Sequence, residues 1–138
     1  MTPLDCLQER FAALERGDYP AVFSSYHAES PFRRQFPRLA GYLAFAREHL
    51  AGILVHSWSC LKTRRSGTDE VECLLRVDMS VGGVSCTMIE LATLIRTEQG
   101  WRYHSAAKLD PQQCARLSAT PEALDFSLFD RNPVKVRF

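Results

Sequence analysis

With 138 residues, 46% hydrophobic and 24% charged, the chain has the size and composition of one globular domain and lies outside the disordered and fibrous classes. Its 17 basic residues against 16 acidic ones leave a net charge of +1, which excludes the global field that recruits nucleic acid or an anionic membrane. No 18-residue apolar run occurs, and residues 1–5 lack a basic-then-apolar leader, so the expectation is a cytoplasmic protein with no nucleic-acid or membrane partner.

The first element is a helix from Pro3 to Arg16. Leu4, Leu7, Phe11 and Leu14 fall on one face, Thr2 caps the start with Pro3 at the first helical position, and Gly17 ends it. Asp18 then caps a second, short helix carrying Tyr19, Val22, Phe23 and Tyr26 and ending near His27. Ser30-Pro31 starts a turn of helix that runs to Phe36, where Pro37 closes it. A further helix over about 38–50 sets Leu39, Tyr42, Leu43, Ala46 and Leu50 on one side, and Gly52 terminates it.

After Gly52 the hydrophobic period changes from 3.6 to 2. Strands are expected over 53–62, 71–81, 84–96 and 101–109, joined by two-residue loops at Ser66-Gly67, Gly82-Gly83 and Glu98-Gln99. Such loops set the register, and a slip of one residue would exchange the faces. In this register Leu54, His56, Trp58 and Cys60 share the core face with Val71, Cys73, Leu75, Val77 and Met79. The same face continues through Val84, Cys86, Met88, Glu90, Ala92 and Leu94 to Trp101, Tyr103, Ser105, Ala107 and Leu109.

The opposite face holds Lys108 and other polar residues around an apolar band of Leu74, Ile89, Leu91 and Ile95. A half-exposed sheet alternates more cleanly than this, so the band calls for a second layer, and a homodimer through this face is expected. Beyond the sheet, helical turns are expected over 110–117 and from 120, followed by an apolar tail over 126–138 that docks on its own domain or on a partner.

Cys6, Cys60, Cys73, Cys86 and Cys114 show no Cys-x-x-Cys spacing and read as reduced core thiols, with Cys60 and Cys73 directly opposed. The histidines His27, His49, His56 and His104 lack ligand spacing, so no metal is assigned, and no phosphate-binding or dinucleotide fingerprint suggests a cofactor.

Helices followed by a long antiparallel meander give the layout. Arg10-Phe11-Ala12-Ala13-Leu14-Glu15-Arg16-Gly17-Asp18, followed by Ser25-Tyr26-His27-Ala28-Glu29-Ser30, gives the detail. Together they resemble the cone-shaped α+β superfamily of ketosteroid isomerase, scytalone dehydratase and nuclear transport factor, with a cystatin-like fold, nearest to bacterial domains found beside SEC-C motifs. The resemblance implies one α+β domain over 1–138: helices over 3–51 packed on a curved four-stranded antiparallel meander over 53–109, then helical turns and tail over 110–138. It carries over neither the SEC-C cysteines, which are absent, nor the isomerase's Tyr with paired acids, since the core face offers one acid, Glu90.

Glu90 interrupts an apolar run between Met88 and Leu94, where burying its charge is costly, and is the first candidate for a general base or acid. His56, on the same expected face, is the second. Tyr26, His27, Trp58, Glu90 and Tyr103 are the expected lining of a pocket for a small apolar ligand. The favoured reading is a non-catalytic small-molecule-binding or accessory domain. The alternatives are a small isomerase or dehydratase using Glu90 or His56, and a dimeric interaction module with a vestigial pocket.

Overall fold

Three of the four N-terminal helices start on a side chain that closes the first turn. In a computed structural model, which describes residues 2–109, 124–131 and 136–137, α1 (Pro3–Arg16) opens on a capping box. The Asp5 amide donates to Thr2 Oγ1 over 3.2 Å, and the Thr2 amide donates to Asp5 Oδ2 over 2.7 Å. Gly17, at φ 68°, supplies the left-handed residue that ends the helix. Asp18 accepts from the Ala21 amide at the start of α2 (Tyr19–Ser25), and Ser30 accepts from Arg33 at the start of α3 (Pro31–Gln35). The last helix of this group, α4 (Leu39–His49), has no side-chain cap and is held by buried Tyr42 and Ala46.

The remaining chain forms an antiparallel meander of β1 (Ile53–Gly67), β2 (Glu70–Val81), β3 (Val84–Thr97) and β4 (Gly100–Leu109). A two-residue strand, β5 (Val136–Arg137), extends the sheet at the β4 edge. The protein is therefore α+β, with N-terminal helices packed on the sheet, as expected. Gly82 and Gly83 form a two-residue turn at φ 58° and 84°, which suits glycine at both positions and pins Val81 opposite Val84. The first turn sits at Thr68-Asp69, beyond the expected Ser66-Gly67, so β1 is longer than its hydrophobic pattern suggested.

Register shifts in the outer strands redistribute side chains between the faces. In β1, Val55 pairs with Met79 and Ser57 with Asp78, leaving His56 as the extra residue of a bulge. Ile53 and Val55 therefore face the core, whereas Leu54 and His56 turn to the other side. A second shift, around Leu61, sets Cys60 opposite Leu75 and Cys73 opposite Thr63, so the two cysteines are diagonal neighbours and not an opposed pair. In β4, Ser105 pairs with Thr93 and Tyr103 with Leu94, leaving His104 extra. From there Ala106 and Lys108 face inward, and Ser105, Ala107 and Leu109 do not.

The main core lies between helices and sheet. It joins Leu7, Phe11, Val22, Tyr26, Phe32 and Tyr42 to Cys73, Leu75, Val77, Ala92, Leu94 and Tyr103. A second cluster occupies the opposite face, where Leu74, Ile89, Leu91 and Leu109 are buried with Leu124 and Phe129. The layer over the expected dimer band is thus the chain's own C-terminal segment, including α5 (Ser127–Arg131), and the apolar character of Leu74, Ile89 and Leu91 requires no second copy. Ile95 lies outside this cluster, partly exposed.

Arg64 fastens the segment. Its guanidinium donates to both Asp130 oxygens at 3.1 Å and to Glu72 at 3.2 Å, and it lies over the Phe126 ring at 4.3 Å. The expected helical turns over 110–117 and from 120, the rest of the tail, and Cys114 fall outside the described residues. Within the described residues no helix is long and apolar enough to cross a membrane.

Replacing Phe129 by Ala removes the larger of the two buried side chains of this cover, Leu124 and Phe129, and is expected to cost about 3 kcal/mol in denaturant unfolding. An unchanged unfolding midpoint would mean that the segment does not dock on Leu74, Ile89 and Leu91.

Candidate functional site

Leu7, Arg10, Phe11 and Leu14 follow one another at helical spacing, so the face of α1 that meets the sheet carries a guanidinium into the core. Arg10 is 7% exposed. It donates to Ser25 Oγ over 3.1 Å and to the Tyr26 hydroxyl over 2.9 Å, binding α1 to the end of α2. Its guanidinium carbon also sits 3.9 Å from the centre of the Tyr103 ring and 4.5 Å from that of Tyr26. Burial works against the charge, but neighbouring Tyr26 and Tyr103, the Tyr26 hydrogen bond and the Glu90 carboxylate outweigh it and hold the group above its ordinary pKa.

Tyr103 comes to this point because β4 is the far strand of the meander and Tyr26 bridges to it from the end of α2. The His27 amide completes that junction by donating to the Tyr103 carbonyl over 2.7 Å. The two tyrosine rings meet edge to face at 85° and 5.6 Å. The Tyr103 hydroxyl donates to Glu90 Oε1. Burial, and then the Glu90 charge, push the Tyr103 phenol well above its ordinary value, so it remains a donor.

Glu90, 5% exposed, thereby becomes part of a buried polar cluster of Arg10, Tyr26, Tyr103 and Ser25. A cavity of about 250 Å³ lies against this cluster. Its walls are mostly apolar, built from Phe11, Leu14, Phe32, Val55, Val77 and Met88, and its polar lining includes Arg10, Tyr26, Glu90 and Lys108. Lys108 enters because the His104 bulge inverts the end of β4 and puts it directly opposite Glu90 on the neighbouring strand. No ion pair joins Lys108 to any described residue within 4.0 Å.

The expected site residues separate into distinct places. Tyr26 and Glu90 line the cavity, and Tyr103 lies beside it as the donor to Glu90. Trp58 instead stacks on Phe11 at 4.8 Å, away from the cavity lining. His27 opens onto a separate surface groove with Arg33 and Arg102, its ring 5.9 Å from His104. His56 is on the far face, its Nε2 2.5 Å from Ser80 Oγ, and so does not share a pocket with Glu90. The β1 bulge is the reason.

Arg10 and Ser25 of the cluster and Lys108 of the cavity lining escaped the sequence pattern. Arg10 carried a legible signal, its spacing of three from Leu7 and four from Leu14. Lys108 carried none, because its face depends on a bulge four residues earlier. The described residues contain no group of three or more His, Cys, Asp or Glu placed to hold a metal ion. Comparison of the chain with protein-family models, curated proteins and solved structures finds no match.

Removing a buried cation leaves its counter-charge in the interior. Arg10→Met is expected to cost about 3 kcal/mol or more. The double variant Arg10→Met/Glu90→Gln should then lose less than the sum of the single losses, as read by guanidinium unfolding. Additive losses would mean that the two charges do not share one site.

Proposed function

We propose that the protein is a non-catalytic domain that binds a small, largely apolar molecule between its helices and its sheet, in the manner of the nuclear-transport-factor-like superfamily that its sequence resembles. The observation that carries this reading is the largely apolar cavity of about 250 Å³ with Arg10, Tyr26, Glu90 and Lys108 in its lining. An apolar chamber of ~150 Å³ accommodates benzene, so a single ring with a short chain, on the order of ten non-hydrogen atoms, suits this volume. Mostly apolar walls with a few convergent polar groups are the usual composition of a ligand site.

A reaction is the second reading, an isomerase or dehydratase with Glu90 as general base. It is favoured by the Tyr103 donor set against a carboxylate within a water-poor site. It is disfavoured by the position of His56 on the far face, which removes from this cavity the alternative base that the sequence offered. Binding needs only the cavity. A vestigial pocket in an interaction module is the third reading, and an inert cavity would favour it.

Val77 is 1% exposed and lines the cavity from the middle of β2. Filling the space with Val77→Phe should abolish binding of 3-phenylpropan-1-ol, measured as loss of its stabilising shift in thermal unfolding, while the circular dichroism spectrum stays unchanged. Undiminished binding in Val77→Phe would place the ligand elsewhere, and turnover of a hydroxy or keto compound by the wild type would move the reading to the enzyme.

A further inference from the structure

Among the cavity-lining residues the charged groups are Arg10, Glu90 and Lys108, two cations and one carboxylate. They are not equivalent. Arg10 is buried, bonded to Ser25 and Tyr26, and stacked on two tyrosine rings, with Glu90 the carboxylate of the same cluster. Glu90 in turn accepts the Tyr103 hydroxyl. The Tyr103 hydroxyl thus occupies one carboxylate oxygen, and the Glu90 charge supports that of Arg10 without an ion pair to it, while Lys108 is its cross-strand partner.

Lys108 is the member left over. It is half-buried, it borders apolar walls that include Val77, Met79 and Met88, and it makes no ion pair with a described residue. An ammonium in the lining of an apolar chamber favours an occupant that brings its own negative charge, because a charge-assisted hydrogen bond in a water-poor site is about twice as strong as a neutral one. A planar carboxylate on a short apolar body matches both the charge and the volume. A cationic ligand would have to take Glu90 from the Arg10 and Tyr103 cluster.

We infer that the cavity selects small apolar monocarboxylates, with the carboxylate held by Lys108 and the apolar body against Phe11, Leu14, Val55 and Val77. This inference rests on the binding reading above. It makes Lys108 the specificity-determining residue of the site.

The test uses three probes with one body: 3-phenylpropionate, 3-phenylpropan-1-ol and 3-phenylpropylamine, titrated calorimetrically into the full chain at low salt. The acid should bind about tenfold or more tightly than the alcohol, and the amine weakest. Lys108→Met should remove the acid's advantage over the alcohol, and Lys108→Arg should keep the preference. Equal binding of acid and alcohol, tightest binding of the amine, or an acid preference that survives Lys108→Met overturns the inference while leaving the binding site in place. If none of the three binds to the wild-type protein, the binding reading fails with it.

Discussion

A guanidinium keeps its charge at any ordinary pH and carries five donors, so it enters a protein interior only where acceptors and counter-charge are waiting. Arg10 imposes that condition on much of the molecule. Ser25 and Tyr26 must come from the end of α2, Tyr103 from the last long strand and Glu90 from the strand beside it. The α1–α2 pair and the β3–β4 edge are consequently joined by polar contacts inside an otherwise apolar layer. A loose fit there would leave a buried charge uncompensated, which costs several kcal/mol at about the scale of the net stability of a domain.

The cavity is a by-product of the same arrangement. Arg10, Tyr26 and Glu90 form part of its wall, and the aliphatic and aromatic residues of α1, α2 and the central strands do not fill the space beside them. The His104 bulge then decides its chemistry. Without the extra residue, Lys108 would sit on the opposite face with Ser105, Ala107 and Leu109 exchanged for their neighbours. With it, a cation meets the cavity and small Ala106 enters the core beside Ala92.

The other face of the sheet shows how a chain covers its own apolar surface. Leu74, Ile89 and Leu91 are central-strand residues that would be costly to leave in water, and a few residues near the C-terminus, Leu124, Phe126, Leu128 and Phe129, lie over them. Arg64 locates that cover through Asp130 and Phe126 while remaining paired with Glu72 on the adjacent strand. Arg64, beyond the strand end expected at residue 62, thus serves as an anchor, because β1 runs on past it to Gly67.

Much of the fold was legible in the residues themselves. Thr2, Asp18 and Ser30 announce helix starts by the hydrogen bonds that their side chains offer, and Gly17 announces a stop by the backbone angle it tolerates. The change of period after Gly52 marks the sheet, and Gly82-Gly83 pins the central hairpin, so the faces of β2 and β3, Glu90 included, come out as the alternation predicts. The outer strands do not follow. Each carries a bulge at a histidine, and one unpaired residue reverses the alternation on one side of it: in β1, Leu54 and His56 leave the expected core face while Trp58 and Cys60 keep it, and in β4, Lys108 moves onto the cavity side. Local pattern alone determined which segments are helices and strands, since caps, turns and periodicity act within a few residues. Which side chains meet was decided by where the bulges fall in the pairing of neighbouring strands and by the C-terminal segment, where burial and hydrogen bonding are satisfied only once the whole sheet is assembled.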